Sequence, residues 1–240
     1  MKLKNWGAAC VLFFAGAASA QAPAATAPVT TYVTPEALFS VQPLPAWPPD
    51  GSAVAEADLQ AVLAAQAQRT PSGVEDALLD AARGPLAWAQ QPAALGAAFT
   101  EQRYPATTAL LLALHEDMRA VNRAANTQRG YRSRPAAVDS RVKSIFEGSL
   151  NISASYPSAR SASSRVWALL LADVFPARRA ALMAHAERGA QLRLLGGAHF
   201  PSDITAGQQV GDAYYTQASS KPVFQQALDK AKKEGNPLMS

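Results

Sequence analysis

The 240-residue chain contains a single cysteine, Cys10, and only three histidines. No cluster of His, Cys and carboxylate residues has metal-ligand spacing, so no catalytic metal is expected, and nothing in the sequence calls for another cofactor. Charge is sparse as well: charged residues make up 17% of the chain and the formal net charge is +4, too small an excess to argue for binding nucleic acid. The longest apolar run beyond the N-terminus, "ALLLALHEDM" at 109–118, breaks at His115-Glu116-Asp117, well short of the roughly 20 residues that a membrane helix needs. Alternating Val/Ile/Thr-rich segments are missing too, which leaves no candidate β-strand of any length.

The start, "MKLKNWGAACVLFFAGAASAQAP", places Lys2 and Lys4 before an apolar stretch and Ala18-Ser19-Ala20 before Gln21. This is the pattern of a secretory signal peptide over residues 1–20, cleaved after Ala20. Cys10 lies inside it without the Leu-x-x-Cys arrangement of a lipoprotein site, so it leaves with the signal. The mature chain is then expected to begin near Gln21, in the periplasm or outside the cell, with no integral membrane segment. Losing Lys2 and Lys4 lowers its formal charge to about +2. A domain of this size needs no disulfide to persist in an oxidising compartment.

Residues 21–50, rich in Pro, Ala and Thr and without helical period, read as an extended arm. From Gly51 to the end, apolar residues recur at spacings of three and four in "AEADLQAVLAAQAQ", "ATTALLLALHEDMRAVNRAA", "SSRVWALLLADVF" and "DITAGQQVGDAYYTQ". Punctuation falls at Thr70-Pro71, Gly84-Pro85, Tyr104-Pro105, Pro157, Pro176, Gly196-Gly197 and Lys221-Pro222. The expected fold is all-α, a single-domain helical bundle of about seven to nine helices over 51–240.

Three segments carry chemistry. "QLRLLGGAHFPSDITAGQQVGD" at 191–212 offers Arg193, then His199 after the flexible Gly196-Gly197 pair, then Asp203 at a helix start. A neutral imidazole can attack an electrophile with one nitrogen while an aspartate fixes the proton on the other. An aspartate at a helix start is equally an ordinary N-terminal cap. "GYRSRPAAVD" supplies Arg134 before Pro135, and "SYPSAR" supplies Ser158 where a helix begins, so that a hydroxyl and free backbone N–H groups can meet an anion. Two guanidinium groups, a hydroxyl, a helix N-terminus and an imidazole suit a phosphoryl group.

These blocks resemble the type 2 phosphatidic acid phosphatase superfamily, most closely the secreted class A bacterial acid phosphatases. The superfamily pattern is Lys-x6-Arg-Pro, Pro-Ser-Gly-His, and Ser-Arg-x5-His-x3-Asp. Arg134 and Pro135 match the first block, Pro157 and Ser158 the second, and Arg193, His199 and Asp203 the third, so that seven of eleven positions hold in order and spacing. "SYPS", "GGAHFPSDITAG" and "LPAWPPDGS" resemble the class A enzymes as well. The resemblance implies the helical fold shared by acid phosphatases and vanadium haloperoxidases, and a phosphomonoester or inorganic phosphate as ligand. It implies His199 as nucleophile through a phosphohistidine, Asp203 as its orienter, and Arg134, Ser158 and Arg193 as the phosphate cradle. It leaves room for a homo-oligomer.

Four positions depart from the pattern. Thr127 stands for lysine, Ala159 for glycine, Arg160 for histidine and Leu192 for serine. The family's general acid is thus replaced by a guanidinium that keeps its proton at any relevant pH, and Arg160 can only stabilise a leaving group electrostatically. Losing a general acid costs about 10² to 10⁴ in rate. The expected function is an exported acid phosphatase-like hydrolase of weakened activity, with a silent oxyanion-binding homologue as the alternative. A vanadate-dependent haloperoxidase, the third reading, is disfavoured by the missing lysine and histidine. His115 and His185, in leucine- and alanine-rich helices, read as packing or surface residues, and Trp47, Trp88 and Trp167 as core.

Overall fold

The computed structural model describes residues 31–146 and 154–235, so the expected signal peptide lies outside the described residues. Among them are ten α-helices, one short 3-10 turn and no strand. The chain is all-α and forms a single domain. Its helices are α1 (Pro35–Val41), α2 (Ala53–Ala67), α3 (Pro71–Ala82), α4 (Pro85–Ala89), α5 (Pro105–Gln128), α6 (Pro135–Val138), α7 (Ala159–Val174), α8 (Arg179–Leu195), α9 (Pro201–Ser219) and α10 (Pro222–Gly235). The count exceeds the expected seven to nine because α1, α4 and α6 are too short to show a hydrophobic period.

Most helix starts follow one device. Seven of the ten begin with proline at the first helical position, where the missing N–H is one the helix leaves unpaired and the ring presets the backbone angle. Thr34, Ser52, Thr70 and Ser158 cap α1, α2, α3 and α7, each accepting a backbone N–H with its side-chain oxygen.

The stretch 31–50 differs from the extended arm expected of it. It carries α1, and Val33, Leu38 and Leu44 enter the main hydrophobic core. Buried Asp117 of α5 anchors its start, with Oδ2 accepting the Tyr32 N–H at 2.7 Å and the Tyr214 hydroxyl at 2.7 Å. An aspartate buried there without those donors would be costly, so the bonds tie the N-terminal stretch to α5 and α9.

α7 is the central helix. It packs against α5, α8, α9 and α10, and Ala162, Val166, Leu170 and Leu171 are buried along its length. Its close crossing with α9 depends on glycine: a Cβ added at Gly207 would sit 2.3 Å from the Ser158 carbonyl oxygen. This crossing sets the N-termini of α7 and α9 side by side. Trp88 and Trp167 are fully buried edge to face at 5.8 Å, flanked by His185 and His115. Trp47 is only partly buried and leans on Tyr156.

Candidate active site

Five pieces of chain meet at one end of the bundle: the C-terminal end of α8, the loop into α9, the segment after α5, the turn before α7, and the C-terminal half of α3. The loop at 196–199 is shaped by its glycines. Gly197 has φ +72°, a conformation that side chains rarely adopt, and a Cβ at Gly196 would lie 2.3 Å from the Phe146 ring. Arg69 pins this loop from outside, donating to the Leu195 carbonyl at 2.6 Å.

His199, at the end of the loop, is buried. Its Nδ1 lies 2.8 Å from the Ser155 carbonyl oxygen. A carbonyl only accepts, so Nδ1 carries the proton and Nε2 of the neutral ring is left as a lone pair. Burial lowers the pKa of His199 to about 4, with the Asp203 carboxylate opposing the shift and the Arg134 charge adding to it. The imidazole is therefore neutral near neutral pH, as a nucleophile must be.

Asp203 stands 3.7 Å from Nδ1, beyond hydrogen-bond reach. The expected proton-fixing role thus falls to the Ser155 carbonyl, and Asp203 acts one step removed. Its Oδ2 accepts the Ser155 hydroxyl at 2.6 Å and the Phe200 N–H at 2.9 Å, while Oδ1 accepts Arg132 at 2.6 Å. Asp203 is both a first-turn cap of α9 and the anchor of the segment that holds the imidazole. Burial alone would raise its pKa, but His199, Arg132 and the Ser155 hydroxyl outweigh it and hold the carboxyl below its ordinary range.

Arg132 and Asp58 complete this shell and were missed in the sequence. Arg132 spans Asp203 and Asp58, the latter at 3.1 Å, and also donates to the Ser202 hydroxyl at 2.7 Å. Ser202 in turn donates to Asp58. The one available signal was the spacing of Arg132 and Arg134 in "GYRSRP", since residues two apart in an extended segment point the same way.

Arg134, Arg160 and Arg193 line one cavity with His199. Arg134 Nη1 lies 3.4 Å from it and donates to the Ala198 carbonyl at 2.7 Å. Burial lowers the Arg134 pKa. Arg193 is 4% exposed, with its guanidinium over the Phe146 ring at 4.1 Å, and its Nε and Nη1 have no hydrogen-bond partner. Burial, then the charges of Arg160 and Arg134, lower its pKa to about 10, which still leaves it cationic. A cavity of about 290 Å³ is lined by Arg134, Arg193, His199, Arg160, Pro157 and Ala159, among others. The first N–H groups of α7 have no partner within the helix, and Ala159 brings that end to the cavity wall.

The structure thus gathers His199, Arg134, Arg193 and Arg160 around one space, and treats Ser158 and Arg160 differently from expectation. Ser158 is fully buried, its hydroxyl caps α7 at Ser161 N and pairs with Ser161 Oγ at 3.0 Å, and it does not line the cavity. It starts the helix whose end faces the cavity. Arg160 makes a paired contact with Asp80, Nε and Nη2 at 3.2 and 3.1 Å, and Nη1 donates to the Arg83 carbonyl at 2.7 Å. With all three nitrogens engaged, it brings a largely neutralised pair to the cavity rather than a free charge. Thr127 turns its hydroxyl back onto the Arg123 and Ala124 carbonyls of its own helix, and Leu192 packs with Ala77, Phe146 and Ala198. Neither replaces the polar group the resemblance implies.

No protein-family model matches the chain. Part of it is similar to the non-specific acid phosphatases of Salmonella typhi, 36% identical over 90 residues, and of Salmonella typhimurium, 34% identical over 90 residues. The chain is related to acid phosphatases over that stretch. The match covers 38% of this chain and 36% of the length of each relative. No helix among the described residues is long and apolar enough to cross a membrane.

Proposed function

We propose that the chain is an exported phosphatase that cleaves phosphomonoesters through a phosphohistidine on His199, at a rate reduced by the absence of a general acid. The observation that carries this reading is Arg193: a buried guanidinium with two unpaired nitrogens is costly unless an anion completes it, and it faces the same cavity as a neutral imidazole. A phosphoryl group there takes hydrogen bonds from Arg193, charge from Arg134, and backbone N–H groups from the start of α7.

The reaction follows from the tautomer. The Nε2 lone pair attacks phosphorus, an N–P bond forms, and the ester P–O bond breaks with its electron pair on the departing oxygen. The proton stays on Nδ1, donated to the Ser155 carbonyl, so the ring carries positive charge that the nearby Asp203 carboxylate stabilises. Water then attacks phosphorus, one of its protons goes to solvent, and the N–P bond breaks with its electron pair on Nε2, which returns neutral His199 and releases phosphate. The departing oxygen finds no proton donor among the groups named at the cavity. Aryl phosphates, whose leaving group bears its own charge, are therefore favoured over alkyl ones.

An alkaline denaturing quench of the purified chain mixed with p-nitrophenyl phosphate radiolabelled at phosphorus tests the reading: label on a histidine that is lost in His199→Ala is the expected result. The engaged state of Arg160 and the inward turn of Thr127 favour a second reading, a silent homologue that only holds an oxyanion. Tight oxyanion binding with no label and no turnover would select it.

A further inference from the structure

Arg193 is held in an unusual way for a buried cation. Its side chain makes no hydrogen bond or ion pair among the described residues, so its orientation rests on packing, and the Phe146 ring at 4.1 Å is the face it lies on. Whatever fixes Phe146 therefore fixes the guanidinium. Phe146 belongs to the irregular segment that follows α6. That segment meets the loop into α9 directly, where the Ile145 N–H donates to the Gly196 carbonyl at 3.1 Å.

A second link comes from outside the cavity. Arg69, just past the C-terminal end of α2, donates from Nε to the Leu195 carbonyl at 2.6 Å and from Nη1 to the Lys143 carbonyl at 2.6 Å. Leu195 closes α8 two residues after Arg193 and leads into the loop that carries His199. Lys143 stands three residues before Phe146, and its own N–H donates to Gln66 of α2 at 2.6 Å. No carboxylate pairs with Arg69 among the described residues, so what the site uses is the shape of the group. A planar guanidinium presents two donors at fixed spacing to two carbonyls on different segments, which the single ammonium of a lysine does not reproduce. The remaining nitrogen, Nη2, closes over the loop, 3.2 Å from where a Cβ on Gly197 would lie.

We propose that Arg69 is a positioning residue for the phosphate site: by bridging the Leu195 and Lys143 carbonyls it fixes both the Phe146 ring on which Arg193 lies and the loop that carries His199. The inference rests on the phosphate cradle of the proposed function and not on turnover.

The test uses the full chain and tungstate binding by calorimetry, at a temperature well below the Tm of every variant. Arg69→Ala and Phe146→Leu should each weaken binding by about tenfold or more, since a misplacement of about 1 Å in such a site can cost about a hundredfold in rate. The double variant should lose little more than the worse single one, because both changes release the same guanidinium. Methylguanidinium should restore much of the affinity of Arg69→Ala, methylammonium at equal ionic strength should not, and neither should help Phe146→Leu. Arg69→Lys keeps the charge without the fork and should bind tungstate nearer to Arg69→Ala than to the parent; it carries the test if Arg69→Ala fails to fold. Unchanged affinity in Arg69→Ala, additive losses in the double variant, or parent-like affinity in Arg69→Lys would overturn the inference, while labelling of His199 in the parent would leave the proposed function standing. A parent that binds no tungstate would overturn both.

Discussion

Arg132 holds Asp203 at 2.6 Å and Asp58 at 3.1 Å, three nearly buried charges in one contact. The guanidinium bridges both carboxylates, beside the direct bond from the Ser202 N–H at the start of α9 to Asp58 of α2 at 3.1 Å, and it stacks on Phe200, the neighbour of His199, at 4.4 Å. Removing one partner of a buried ion pair strands the others without their charge.

Arg132→Met should therefore destabilise the fold by about 3 to 5 kcal/mol, the usual cost of breaking a buried pair. For a domain of this size that lowers Tm by roughly 6 to 20 °C. Calorimetry of the variant at neutral pH checks it; a fall of under 2 °C would show that the network contributes little.

Arg193 gives the second prediction. An oxyanion such as tungstate or vanadate should raise Tm of the parent, because a ligand that binds only the native state stabilises it by about 2.7 kcal/mol at a hundredfold excess over Kd. Arg193→Met removes the unpaired nitrogens, so its Tm without ligand should fall little or even rise while the ligand-dependent increase disappears. Arg134→Ala should also abolish the increase. An unchanged shift in Arg193→Met would place the anion elsewhere.

Acid stability provides a third. The folded-state pKa of His199 is about 4, below the ordinary 6.5. Between these values the unfolded chain binds a proton that the folded chain does not, so stability is lost as pH falls from about 6.5 to about 4, by on the order of 3 kcal/mol. His115 and His185 are lowered by burial as well and act with the same sign. The contribution of Asp203, whose pKa is lowered, is lost at more acid pH, below the ordinary 3.8. Denaturant unfolding in phosphate-free buffer should show the slope between pH 6.5 and 4, reduced in His199→Gln. Equal slopes in parent and variant would mean that His199 titrates normally.

The long helices were legible because burial on one face imposes a period that α5, α7 and α9 are long enough to display. The prolines were legible as breaks, although Pro71, Pro85, Pro105 and Pro222 mark starts rather than stops: the same residue ends one helix geometry and suits the first turn of the next. In α1, α4 and α6 there is less than two turns to read. At the site, Arg134, Arg193 and His199 could be picked out because a motif fixes their spacing. Arg132, Asp58 and Asp80 could not, since their partners lie 71 to 80 residues away along the chain and only the packing of α2 and α3 against α8 and α9 brings them near. Ser158 stands out both as a helix start and as a match to the second motif block, and its hydroxyl caps α7 at Ser161.

The last prediction concerns Arg160 and Asp80. Arg160→His puts an imidazole where a proton donor is wanted, but it also dissolves the paired contact with Asp80, a carboxylate that is only 2% exposed. At neutral pH the single variant should lose about 3 to 5 kcal/mol of stability, because the carboxylate is left buried and unpaired. At acid pH the introduced imidazole is protonated and can pair with Asp80 again, so part of the loss should be recovered as pH falls toward 5. Asp80→Asn in the Arg160→His background removes the stranded charge, and should regain stability at neutral pH relative to the single variant. That coupling separates the two roles of the site. If proton donation limits the reaction, the alkyl-to-aryl ratio of kcat/KM should rise by up to about 10² to 10⁴ in Arg160→His, and by less in the double variant, where the imidazole no longer has a carboxylate to keep it protonated. A ratio that stays at the parent value in both, with the protein folded and the oxyanion still bound, would mean that the position of Arg160 does not reach the departing oxygen.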